Sequence, residues 1–227
     1  MENIKNNPII IVFFGRSGSG KGTQAQLLMD DFGFEYLSSG DLLRERREKD
    51  DFTGNKIKEL LGKGQRVPTF LVFKIWLNQI EVKRQENDWK GLIIDGSPRS
   101  VLEARLIDQV FKWYEWKNVN IILLDVSREE CFNRLSKRRI CKNCSRVFPY
   151  IGKYIKQEEC DKCGGELITR SDDHPEIIKA RLDYYDKDVA PIVDYYQKKN
   201  KLIKINGEQP IEGVYKDVLK ALDLDLK

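Results

Sequence analysis

Ile9-Ile10-Ile11-Val12-Phe13-Phe14-Gly15-Arg16-Ser17-Gly18-Ser19-Gly20-Lys21-Gly22-Thr23 is the stretch that decides the fold. Its first six residues are β-branched or aromatic with no polar break, the pattern of a strand buried on both faces. A glycine, four residues and Gly-Lys follow, which is the spacing of a phosphate-binding loop between a strand and a helix. Glycines let the backbone curl so that successive amide hydrogens point inward, and the next helix, expected over 22–31, adds its positive end. Gly15, Ser17, Gly18, Ser19, Gly20, Lys21, Gly22 and Thr23 are therefore the candidates for cradling nucleotide phosphates. Lys21 would follow the transferring group as a point charge. The hydroxyl falls one residue later than in the general pattern, at Thr23, because Gly22 follows the lysine.

The rest of the chain keeps the same rhythm. Phe34 to Leu37 reads as a second strand, and Asp41 is placed to cap a helix over Leu42 to Lys49. Leu92 to Ile94 and Ile121 to Val126 are further apolar runs, each followed by a helical pattern, and Lys201 to Ile205 supplies a last strand. Leu102, Leu106, Ile107 and Val110 fall on one helical face, as do Ile211, Val214, Tyr215, Val218, Leu219 and Leu222, and both stripes read as core. Five short apolar strands separated by helices predict an α/β fold with a doubly wound, five-stranded parallel sheet, because parallel strands need helical crossovers. A polar helical insert around Thr53 to Val82 and a cysteine-bearing segment from Cys141 to Cys163 interrupt that rhythm as lobes on the sheet.

At 227 residues the chain is long enough for one large domain with such lobes. Charged residues make up 33%, above the usual share of about 25%, so a solvated globule is expected. The longest apolar run is far short of the ~20 residues that span a bilayer, and the opening MENIKNNP has neither a secretory nor a transit pattern. A cytoplasmic location without membrane association is the expectation. A net charge of +4 is too small for a dedicated nucleic-acid binder, so anion binding has to be local.

Cys141, Cys144, Cys160 and Cys163 form CxxC, 15 intervening residues and CxxC, which is the spacing of a tetrahedral structural Zn²⁺ site. Four thiolates leave no open coordination position, so zinc would hold the lobe together and take no part in chemistry. Gly164 and Gly165 suit the tight turn that aims amides at sulfur. Cys131, inside a helical pattern, reads as a buried apolar filler, and His174 beside Pro175 as a cap or a solvent-facing residue.

Three further blocks accompany the loop: SSGDLLR at Ser38 to Arg44, DGSPR at Asp95 to Arg99, and TRSDD at Thr169 to Asp173 after the cysteines. In this order they resemble the adenylate kinases, a nucleoside monophosphate kinase family, over Ile9 to Leu222, and specifically those with a zinc-bearing lid. The resemblance implies Mg²⁺-dependent, reversible phosphoryl transfer from ATP to AMP, giving two ADP. It implies a core of 1–37, 68–136 and 174–227, an NMP-binding insert of 38–67 and a lid of 137–173. It assigns Ser39, Arg44, Val67, Gly96, Arg99 and Glu103 to the acceptor and Arg134 and Arg138 to ATP. Arg170 and Arg181 would grip the transferring group between the two nucleotides, so Lys21, Arg99, Arg138, Arg170 and Arg181 form the catalytic set. Asp95, at the end of an apolar strand, would anchor Mg²⁺ through water. ATP and AMP are the implied partners, nucleic acid is not, and nothing demands more than a monomer.

Two residues depart from the family pattern. Ser97 replaces a phenylalanine, and Glu103 stands where a glutamine usually reads adenine. A carboxylate only accepts hydrogen bonds, so it suits the two neighbouring donors of guanine better than adenine, which sets an expectation of relaxed or altered acceptor choice. A surface Glu103, with backbone groups reading adenine, is the other outcome. The competing functions are a guanylate or broad-specificity kinase, and a zinc-ribbon nucleic-acid-binding ATPase using Lys137, Arg138, Arg139, Lys142 and Arg146.

Overall fold

The computed structural model describes residues 8–85 and 90–226, so the opening segment apart from Pro8 lies outside the described residues. Strands β1 (Ile9–Phe14), β2 (Glu35–Ser38), β3 (Gly91–Asp95), β4 (Val119–Asp125) and β8 (Leu202–Asn206) form one five-stranded sheet in the order β2-β3-β1-β4-β8. Every pairing in it is parallel, with Ile10 opposite Leu92 on one side and Val119 on the other. Successive side chains of β1 divide between two cores, because a strand has period two. Ile10, Val12 and Phe14 join Trp76, Ile94, Ile107, Ile192 and Tyr196 on one face. Ile11 and Phe13 join Leu28, Ile93, Ile205 and Val218 on the other.

Helices α1 (Lys21–Phe32) and α9 (Ile211–Leu222) cover the second face, and α9 buries Val214, Tyr215, Val218, Leu219 and Leu222 as its periodicity requires. Helix α5 (Val101–Trp113) covers the first, but its buried face differs from the sequence expectation. It is centred on Ile107 and takes in Glu103, Ala104, Val110 and Phe111, while Leu102 is 62% exposed. Five residues at 3.6 per turn place Leu102 about 140° from Ile107, too far round to share its face.

The second helix, α2, spans Ser39–Arg46 and is capped by Ser38, whose Oγ accepts from Asp41 N at 3.2 Å. The expected Asp41 cap over 42–49 is thus corrected: the serine at the end of β2 starts the helix earlier, and Asp41 favours its positive first turn. Helix α3 (Phe52–Gly62) starts at Asp51, which accepts from Gly54 N at 2.8 Å and pairs with Arg46. Helix α4 (Thr69–Gln85) belongs to two cores: Val72 packs with Leu43, Ile57 and Val67, whereas Trp76 and Ile80 reach the main sheet.

Helix α6 (Arg128–Ser136) leads into an antiparallel three-stranded sheet of β5 (Arg139–Cys141), β6 (Val147–Phe148) and β7 (Leu167–Thr169). Helix α7 (Pro175–Tyr184) follows, then a π turn over Tyr185–Val189 and helix α8 (Ala190–Gln197). His174 is the exposed first flanking residue of α7 and makes no side-chain cap. Among the described residues no helix is long and apolar enough to cross a membrane.

Urea midpoints should separate the two leucine-stripe readings of α5. Leu102→Ser is expected to change stability by less than about 0.5 kcal/mol, and Ile107→Ala to cost about 3 kcal/mol.

Candidate active site

The phosphate loop leaves β1 at Gly15, whose φ of +140° and lack of a side chain are both needed, since a Cβ there would lie 2.6 Å from Leu124 O. Gly18 is held in the same way, at φ +89° with Cys131 O 2.8 Å from where a Cβ would sit. Helix α1 opens at Lys21, directly after the loop. The Lys21 ammonium turns back and donates to Gly15 O and Arg16 O, both at 2.9 Å. Burial lowers its pKa, nearby Asp95 opposes that fall, and the guanidinium groups of Arg181 and Arg99 add to it. Asp95 at the end of β3, Arg99 beyond it, Cys131 and Arg181 are therefore all within electrostatic reach of one ammonium.

A second set of interactions gathers the remaining arginines. Burial brings Arg170 down to about 10, Arg44 adds to the fall, Asp172 resists it, and Arg138 and Arg181 contribute further. Asp172 pairs with Arg170 at 2.6 Å. Burial alone would raise the Asp172 carboxyl, but Arg170, Arg181, Arg138 and Arg44 outweigh that and hold it below its ordinary value. Arg138 grips Asp173 with two bonds of 2.7 Å, and Arg181 reaches the same carboxylate at 3.2 Å. The Asp173 side chain is fully buried, so it ties the strand entering the lid to the segment leaving it. Both aspartates stand in the quoted TRSDD block, yet no local signal says that they neutralise arginines over thirty residues away in sequence.

On the acceptor side, Arg99 Nε donates to Gly96 O at 2.6 Å, and Arg44 is ion-paired with Asp41. Tyr184 OH donates to Arg99 O at 2.6 Å while its ring lies under Arg66, and Tyr36 OH donates to Asp95 Oδ2 at 2.9 Å. Neither tyrosine is marked by sequence pattern. Ser97 is buried and its hydroxyl bonds that of Ser39, so the departure from phenylalanine is filled by a polar pair. Val67 turns its side chain into the core of the insert. Arg134 runs along α6 to Glu130 at 2.7 Å and, like Lys21 and Arg16, lies within electrostatic reach of the Cys131 thiol.

Glu103 is not a surface residue: it is 1% exposed. Ser100 caps α5 by accepting from Glu103 N at 3.2 Å, and Glu103 Oε2 reaches back to accept from Arg99 N at 2.8 Å. This is the reciprocal logic of a capping box, moved by one residue. Glu103 Oε1 is buried with no hydrogen-bond partner among the described residues.

In the lid the four cysteine sulfurs lie within 4.8 Å of one another, with Cys141 and Cys163 at 3.5 Å and Cys144 and Cys160 at 3.6 Å. A tetrahedral zinc with Zn–S near 2.3 Å requires sulfurs about 3.8 Å apart, so the donor set and its spacing fit the ion. Amide hydrogens of Cys144 and Asn143 bring the Cys141 thiol down to about 6. The Gly165 amide is the strongest single influence on Cys163 and lowers it, but the sulfurs of Cys141, Cys144 and Cys160 together with burial outweigh it and hold that thiol at about 12. A divalent cation removes that repulsion. Cys131 is a separate, buried thiol in α6, raised by burial to about 11. Of the basic residues beside the cysteines, Arg139 donates to Tyr154 O, and Lys142 and Arg146 pair with Glu166 and Asp161. Charges so engaged do not favour a nucleic-acid ribbon.

The family model for adenylate kinase matches residues 13–201. The chain belongs to the adenylate kinase family. It is 37% identical over 214 residues to the adenylate kinase of Archaeoglobus fulgidus, covering 94% of this chain and 97% of that one. It is 37% identical over 213 residues to that of Petrotoga mobilis, covering 93% and 96%. With the Chlamydia trachomatis serovar D enzyme it shares 36% over 233 residues, covering 97% and 92%. As a member of this family the chain is a phosphotransferase of the nucleoside monophosphate kinase class, and the names of these relatives do not favour the guanylate alternative.

Chelation of the metal should expose the lid first: limited proteolysis is expected to cut within 139–169 while the parallel sheet stays folded, and first cuts in the core would contradict this. A second expectation concerns acid. The depressed Asp172 carboxyl contributes stability that is complete above pH 3.8 and is lost as pH falls through its lower folded value. Asp172→Asn should therefore flatten the acid limb of a plot of Tm against pH.

Proposed function

We propose that this adenylate kinase transfers the terminal phosphoryl group of ATP to the phosphate of AMP, reversibly, yielding two ADP. An oxygen of the AMP phosphate attacks the γ-phosphorus, the bond from that phosphorus to the β–γ bridging oxygen breaks, and its electron pair leaves with ADP. The transition state is loose and highly charged, so in-line positioning and cations do the work and no covalent nucleophile is needed. The observation that carries this reading is that Arg181 of α7 joins two electrostatically linked groups, Lys21 with Arg99 at the loop and the end of β3, and Arg170 with Arg44 and Arg138 from the lid and the insert.

Gly15, Ser17, Gly18, Ser19, Gly20, Lys21, Gly22 and Thr23 hold the donor phosphates, with Arg134 and Arg138 beside them. Ser39, Arg44, Val67, Gly96, Arg99 and Glu103 hold the acceptor, Val67 through its backbone because its side chain is buried in the insert. With Glu103 Oε2 taken by Arg99 N, Oε1 is left to accept from the adenine amino group. Arg170 and Arg181 span the two phosphates. Asp95, a hard oxygen donor at the carboxyl edge of the sheet, would hold Mg²⁺ through water, and the ion supplies charge neutralisation on the donor phosphates when bound. Zn²⁺ on Cys141, Cys144, Cys160 and Cys163 is structural. The lid excludes water, which competes with AMP for the phosphoryl group.

Steady-state assays across AMP, GMP, CMP and UMP test this reading. AMP is the expected best acceptor. Lys21→Ala is expected to lower kcat by at least about 100-fold, and Arg99→Ala to raise KM for AMP more than for ATP. Turnover that survives Lys21→Ala refutes it.

A further inference from the structure

Arg16 takes part in none of the phosphate contacts assigned above, yet it is the most heavily tied side chain of the loop. Its Nη1 donates to Val126 O at 3.0 Å, just beyond β4. Its Nε and Nη2 both donate to Asp186 Oδ1, at 3.2 and 2.8 Å, and its guanidinium lies 4.9 Å from the centre of the Tyr185 ring. At the other end of the residue, the Arg16 carbonyl accepts from Lys21 Nζ at 2.9 Å. Tyr185 and Asp186 open the π turn, directly after the helix that carries Arg181. Asp186 continues outward, its Oδ2 accepting from Arg128 Nη1 at 2.8 Å, and Arg128 pairs in turn with Asp183 on α7.

We propose that Arg16 is a positioning residue for phosphoryl transfer, clamping the phosphate loop, and through it Lys21, to the α7–π-turn segment that carries Arg181. The proposal rests on the phosphoryl-transfer reading of the same loop. A glycine-rich loop has many backbone conformations to lose, and in-line transfer requires Lys21 and Arg181 to keep a fixed separation. One side chain that bonds a carbonyl past β4, a carboxylate and an aromatic ring fixes that separation. The extra residue of the π turn is what presents both Asp186 and Tyr185 to the loop, and such turns recur where a helix has a task beyond packing. An isolated surface ion pair contributes little, but here the fork takes a backbone acceptor and a ring together with the carboxylate, and the Arg16 side chain is only 24% exposed.

The test uses the full-length, zinc-loaded chain with ATP and AMP varied separately, comparing Arg16→Ala, Asp186→Asn, their combination, and Arg16→Lys. Each of the first two is expected to lower kcat about tenfold with KM for AMP within about twofold. The double variant should be no worse than Arg16→Ala, because both remove the same clamp. Lysine restores charge but cannot span three partners, so Arg16→Lys should recover only part of the loss. Asp186→Asn keeps the volume of a half-exposed residue, so the inference stays testable should Arg16→Ala fold poorly. A kcat within twofold of the parent for both single variants overturns it. So do losses that multiply in the double variant, or a KM for AMP that rises in step with a falling Tm. These outcomes leave the phosphotransfer reading standing, since that reading fails only with Lys21→Ala.

Discussion

Cations crowded at the carboxyl edge of one parallel sheet are the constraint to which the rest of the molecule answers. Two like charges 4 Å apart repel by about 4 kcal/mol at an effective dielectric near 20, so this cluster cannot be assembled from arginines alone. Asp172 and Asp173 make it possible, the first against Arg170 and the second shared by Arg138 and Arg181. Asp95 does the same for Lys21. On the proposed function, anionic phosphates complete the neutralisation. Strand β1 is apolar along its whole length, and Leu92 to Ile94 and Ile121 to Leu124 beside it are buried, so the loops at their ends sit on a rigid floor.

The lid solves a different problem. Its apolar content is small, with Cys141, Phe148 and Cys160 buried and Tyr154 and Leu167 packed beside them. Such a lobe has little apolar surface to offset its own ordering entropy, and its four-cysteine cluster is compatible with a structural metal that would supply what the core lacks. The lid is also tied at its base, because Asp173 accepts from Arg138 before the three-stranded sheet and Arg181 after it. The two ends of the lobe are thus joined by one buried carboxylate.

The acceptor side shows how a substitution is absorbed. Ser97 could have left a hole where a phenylalanine is expected, yet it bonds Ser39 in a buried pair. Glu103, readable from sequence as a recognition group or a surface residue, is a buried helix-start residue that spends one oxygen on the backbone of Arg99. Its remaining oxygen is what it has to offer a base.

Much of the fold and part of the site were legible in the chain itself. The run Ile9 to Phe14, the glycines after it and Lys21 specify a strand, a phosphate nest and a helix, because backbone freedom and apolar periodicity are local properties. The paired CxxC motifs foretell a cluster of four sulfurs compatible with a metal ion, because each pair already brings two sulfurs close on a tight turn. Folding alone decided that Glu103 is buried, since that depends on which neighbours arrive from elsewhere, whereas the exposure of Leu102 follows from the helix period and the Ser38 cap from a bond three residues long. It alone brought Asp173 to Arg138 and Asp186 to Arg16 across 170 positions, because ion pairing acts through space and leaves no period in the sequence.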